Sequence, residues 1–138
     1  MRAAMDVPSD LADLGTARWA IVDQVLSWGA PVDPAVLALL VSEVVANAVE
    51  HGSPPIVASL DWDGARLRVE VRDCALALPV RRQPGHDDDG GRGIWLVDRN
   101  ASAWGVEQVD GGKSVWFELR GPGPAQDVVG GRPDLRST

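Results

Sequence analysis

Between Pro34 and Asp73 the spacing of apolar residues changes from period 3.6 to period 2, and that change limits what the chain can fold into. Asp33-Pro34 reads as an N-cap followed by proline at the first helical position. Behind it Leu37, Leu40, Val41, Val44, Val45 and Ala48 form one apolar line, and Gly52 supplies the stop. Ile56 to Trp62 then reads as a strand, Asp63-Gly64 as a tight turn, and Arg66 to Asp73 as the partner strand. In that partner Leu67, Val69 and Val71 alternate with Arg66, Arg68, Glu70 and Arg72, so one face is buried and the other solvated.

Before this stretch, Leu11, Leu14, Ile21, Val22, Val25 and Leu26 recur near helical spacing until Gly29. After it, Leu76 to Gly91 loses periodicity through Pro79, Pro84, Gly85, three aspartates and Gly90-Gly91, which predicts a long functional or disordered loop. A short helix is expected from Ile94 to about Ala101. Strands are expected around Trp104–Val109 and Ser114–Leu119, joined by Asp110-Gly111-Gly112. The order α-α-β-β-loop-α-β-β predicts an α+β, two-layer sandwich with the helices on one face of a mostly antiparallel sheet. One domain is expected over residues 1–120, and a disordered tail rich in glycine, proline and charge over 121–138.

Composition narrows the function classes. A chain of 138 residues can bury a core without disulfides or metals. Cys74 is the single cysteine, which suits a reducing, cytoplasmic compartment. The N-terminus MRAAMDVPSD has no apolar core, and no run approaches 18 uncharged apolar residues, so neither a signal peptide nor a membrane span is expected. A net charge of -7 argues against non-specific nucleic-acid binding, which needs a basic surface to release phosphate counterions. Lys113 is the only lysine among cations that are otherwise arginine.

Glu43 and Asn47 stand four residues apart on the second helix, with His51 one turn on, beside the apolar line of Val41, Val44 and Ala48. Polar groups at the rim of a buried face are costly without partners. By themselves they fit equally a solvated helix edge with a capping histidine and a functional site. The segment Leu39-Leu40-Val41-Ser42-Glu43-Val44-Val45-Ala46-Asn47-Ala48-Val49-Glu50-His51-Gly52 resembles the N-box of the histidine-kinase-like ATPases, and especially the bacterial anti-sigma-factor serine kinases. The resemblance implies the Bergerat ATP-binding fold, with Asn47 ligating Mg²⁺ that bridges ATP phosphates and Glu43 as general base. An amide oxygen suits Mg²⁺, which binds through few protein groups plus phosphates and water.

Three further segments carry the likeness. Val71-Arg72-Asp73 resembles the strand end whose aspartate accepts a hydrogen bond from the adenine amino group. The family reads Asp-x-Gly-x-Gly there, whereas this chain has Asp73-Cys74-Ala75-Leu76-Ala77. If positions 75 and 77 need φ > 0, or a close approach to nucleotide, each Cβ of Ala75 and Ala77 weakens ATP binding. Gly91-Arg92-Gly93-Ile94 resembles the second glycine box, whose backbone N–H groups cradle phosphate at a helix start. Gly112 to Leu119 resembles the last strand, which implies Ser114 near the adenine through a water shared with Asp73; an ordinary hairpin serine fits nearly as well.

Gly112-Lys113-Ser114 is not the end of a P-loop, because the first glycine of that motif would fall on Glu107. Gly91-x-Gly93-x-x-Leu96 lacks the third glycine of a dinucleotide fingerprint. His86 before three aspartates reads as a charged lid more readily than as a metal site. The resemblance implies an anti-sigma regulator that binds Mg·ATP and phosphorylates a serine on a STAS-type anti-anti-sigma antagonist, while sequestering a sigma factor. It also leaves a homodimer open, with Trp19, Trp28 or Trp62 as candidate contacts. A docking module of the same fold with little nucleotide turnover is the alternative that Ala75 and Ala77 motivate. A sensor histidine kinase is disfavoured, because the chain leaves no room for a dimerisation helix.

Overall fold

The computed structural model describes residues 1–75 and 96–121. The order is β1 (Arg2–Val7), a single 3-10 turn (Leu11–Asp13), α1 (Leu14–Ser27), α2 (Pro34–His51), β2 (Ile56–Trp62), β3 (Arg66–Asp73), a helical stretch at residues 96–100, β4 (Ala103–Val109) and β5 (Gly112–Arg120). The five strands form one antiparallel sheet in the order β1-β2-β3-β5-β4. The α+β fold anticipated from the sequence is therefore present. The loop expected over 76–91, the positions Ala77, Gly91, Arg92, Gly93 and Ile94, and the tail beyond Gly121 lie outside the described residues.

Strand β1 is absent from the sequence-based order. It pairs with β2 in the register Ala3↔Leu60, Met5↔Ala58 and Val7↔Ile56. The N-terminal ammonium donates to Trp62 O at 2.9 Å, and Trp62 N donates back to Met1 O at 2.9 Å. Ala3 and Ala4 have little strand preference, so this strand exists through its cross-strand partners rather than its own residues.

Local chemistry accounts for the other elements. The Asp33 carboxylate accepts from Ala35 N at 2.9 Å, and Pro34 opens α2 without a missing donor. Asp63 accepts from Ala65 N and Arg66 N in the β2–β3 turn, and those two donors hold its carboxyl below the usual carboxylate range.

The core lies between the helices and one face of the sheet. Ile21, Val22 and Val25 of α1 and Leu37, Leu40, Val41, Val44 and Val45 of α2 are fully buried, together with Leu67, Val69 and Phe117 from the sheet. By length and composition alone α2 could cross a bilayer, but here its apolar line is a core face. The opposite sheet face is polar. There Arg68 reaches Glu118 at 3.2 Å and lies 4.0 Å over the Trp116 ring, with Arg66 3.6 Å from Glu118. Of the three tryptophans considered for a dimer surface, Trp62 is core, Trp28 is partly buried against the core, and Trp19 is exposed.

Candidate functional site

Helix α2 delivers Glu43 and Asn47 to one line of its surface, and the two side chains meet different surroundings. Asn47 is 3% exposed, and among the described residues its buried Oδ1 has no hydrogen-bond partner. A buried amide oxygen left without a donor costs about 1–3 kcal/mol, so its retention calls for a ligand or a reason. Glu43 is half-buried. Burial pushes its carboxyl above the usual glutamate value, and the charge of Glu50 seven residues on pushes it further. His51 does not cap the helix. Its Nε2 lies 3.8 Å from Glu50 Oε1, and the last turn closes through Gly52 N donating to Ala48 O at 2.8 Å.

The C-terminal end of α2 and the end of β3 are joined. Cys74 N donates to Ser53 O at 2.8 Å. A Cβ on Gly52 would stand 2.5 Å from the Asp73 carboxylate, so only glycine lets the helix stop press against that side chain. A Cβ on Gly112 would collide with the Asp73 carbonyl oxygen from the other side. Asp73 is thus held against the C-terminal stop of α2, the helix that carries Asn47.

The partners of Asp73 differ from that reading. Lys113, directly across the ladder, places Nζ 2.6 Å from Asp73 Oδ2, and both side chains are essentially without exposure, at 1% and 0%. The other carboxylate oxygen, Oδ1, accepts from Ala75 N at 2.7 Å. Ser114, expected beside the adenine, lies on the opposite sheet face, where its hydroxyl donates to Glu70 Oε2. The reason is the period of the strand. Side chains 113, 115, 117 and 119 face the helices while 114, 116 and 118 face away, so a water shared by Ser114 and Asp73 is not geometrically available.

For Ala75 the first of the two conditions, a positive φ, is not met. Among the described residues no non-glycine residue has positive φ, so Ala75 carries none of the backbone strain anticipated for an alanine in that turn. Cys74 is exposed, with Sγ 3.8 Å from Pro55 O. Lys113 was the residue missed. Its signal was present, since Val115, Phe117 and Leu119 mark the buried face of β5 and residue 113 continues that alternation.

The Asn47 oxygen fits a hard cation. Among the described residues no group of three His, Cys, Asp or Glu side chains could hold a metal by itself. A Mg²⁺ carried on phosphates needs only one or two protein oxygens. A family model for the histidine kinase-like ATPase domain matches residues 7–119.

This chain belongs to the histidine kinase-like ATPase domain family.

An uncharacterized protein of Streptomyces coelicolor is 32% identical over 92 residues, covering 63% of this chain and 88% of that protein. The histidine kinase domain of a blue-light activated histidine kinase from Erythrobacter litoralis is 26% identical, with a TM-score of 0.47, covering 78% of this chain. The present chain spans 59% of the length of that structure. Within a histidine kinase-like ATPase domain, the α2 line of Glu43 and Asn47 and the β3 end at Asp73 are the two poles of the candidate nucleotide site.

Proposed function

We propose that this histidine kinase-like ATPase domain binds a Mg²⁺-nucleoside triphosphate along α2 and transfers its terminal phosphoryl group to a serine hydroxyl of a protein partner. The observation that carries the reading is the buried, unpartnered Oδ1 of Asn47 one turn from a half-buried Glu43 of raised pKa. Asn47 would hold the cation through that oxygen. The cation would supply charge neutralisation on the phosphates.

Glu43 takes the proton of the attacking hydroxyl. Its raised pKa brings the carboxylate nearer the operating pH than an exposed glutamate, where a base transfers protons with better driving force. The partner class follows the family likeness: a STAS-type anti-anti-sigma protein as phosphoacceptor and a sigma factor as the sequestered client. The net charge of -7 favours protein partners over nucleic acid.

One observation favours a second reading, a docking module of the same fold with little nucleotide turnover. The Lys113–Asp73 pair occupies the carboxylate that would meet the base.

The test is phosphoryl transfer from γ-labelled Mg·ATP to STAS-domain proteins of the source organism. Wild type is expected to label a serine, and Glu43→Ala to lose about 10²–10⁴-fold in rate. Equal rates in the two proteins would show that Glu43 is not the base. Binding of nucleotide without labelling of any acceptor would favour the docking reading.

A further inference from the structure

We infer that Lys113 makes the base end of the nucleotide site blind to base identity, so that affinity resides in the triphosphate end near Asn47. This rests on the nucleotide reading above and deepens it, by naming the residue that sets specificity.

Among the described residues both carboxylate oxygens of Asp73 are already engaged. Oδ2 faces the Lys113 ammonium at 2.6 Å, and Oδ1 takes the Ala75 N–H at 2.7 Å. Gly52 and Gly112 approach so closely that neither position has room for a methyl group. An exocyclic amine arriving here would meet an ammonium donor beside a carboxylate whose two oxygens each already accept one hydrogen bond. The amine would compete with the ammonium for the same carboxylate, and displacing a buried ammonium from its partner is strongly disfavoured.

The choice of residue points the same way. Every other side-chain cation apart from the two histidines is arginine, yet among the described residues the fully buried cation is the chain's single lysine. A compact ammonium fits a closed site where the planar fork of arginine does not. Val71 and Val115, on the same face of the sheet, are buried, and among the described residues Asp73 is the ionic partner of Lys113.

Calorimetric titration with the Mg²⁺ complexes of ATP, GTP and inorganic tripolyphosphate tests this on the full chain. Wild type is expected to bind all three within about threefold of one another, and Lys113→Thr, which frees the Asp73 carboxylate, to prefer ATP over tripolyphosphate by about tenfold or more. Because that variant removes one partner of a buried pair and can fail to fold, a second measurement uses wild type alone. With a single lysine, ¹³Cε-lysine labelling gives one side-chain NMR signal, expected to be the same with ATP and with tripolyphosphate.

A wild-type preference for ATP over tripolyphosphate of more than about tenfold would overturn the inference. So would a lysine signal that moves with ATP and not with tripolyphosphate. Failure of all three ligands to bind wild type overturns the nucleotide reading itself, and this inference with it. That outcome is distinct from base-selective binding, which removes only the role given to Lys113.

Discussion

Asn47 and Glu43 each carry a cost in the protein without ligand, and those costs are measurable. The Asn47 oxygen is buried and unpartnered. Replacing the amide by a hydrocarbon of similar size removes that penalty, so Asn47→Leu is expected to raise the stability of the nucleotide-free protein by about 1 kcal/mol. Thermal unfolding in the absence of Mg²⁺ and nucleotide checks it; a loss of stability would mean that the amide is satisfied after all. For Glu43 the sign follows from the raised pKa. Below the ordinary glutamate value the side chain is protonated in both folded and unfolded chains, and it costs nothing. As pH rises through the raised folded value, the folded state must hold a disfavoured carboxylate. Glu43→Gln should therefore be more stable than wild type at neutral pH and indistinguishable from it below the ordinary glutamate range. Because the group is half exposed, water screens the effect, and the gain is about 0.5 kcal/mol or less. Paired denaturant titrations at neutral and acidic pH measure it; an advantage that persists unchanged in acid would contradict the cause assigned.

At the scale of elements, the β3–β5 ladder matters most, because it sets Asp73 against Lys113 and sends Ser114 to the far face. Its edge depends on Gly112 passing close to the Asp73 backbone. Since the obstructing atom is a carbonyl oxygen and not the end of a flexible side chain, Gly112→Ala must shift the strand. A loss of about 1–3 kcal/mol is expected, together with weakened nucleotide binding. An alanine variant as stable as wild type in thermal unfolding would show that β5 relaxes freely there. The same ladder explains what the sequence could tell. The period-3.6 line of α2 and the alternation of Leu67, Val69 and Val71 are long patterns with local causes, and both elements appear with the expected bounds. Strand β1 was illegible because Ala3, Ala4 and Asp6 resemble a loop, and their pairing is with residues more than fifty positions away. Asn47 and Asp73 were legible by likeness, yet their electrostatic surroundings were not. The displacement from Ser114 to Lys113 is one residue along the chain, and in a strand one residue means the other face of the sheet.

At the scale of the molecule, one layer of helices covers one face of a five-stranded sheet, and the end where α2 stops, β3 ends and β5 begins gathers the polar groups that the core excludes. Asn47, Asp73 and Lys113 are buried there, whereas the rest of the helix-facing interior is apolar. That concentration of unpaired and ionic groups is what a ligand site costs a small domain. Calorimetric titration of Mg·ATP into wild type and Asn47→Leu, each with Mg²⁺ and with EDTA, measures whether the cost has the use assigned to it. Wild type should bind with Mg²⁺ at a Kd below about 1 mM, and should lose at least about tenfold in affinity on removal of Mg²⁺ or of the Asn47 oxygen. Absence of binding at millimolar nucleotide, or equal affinities in all four titrations, would contradict a Mg²⁺-nucleotide site on α2.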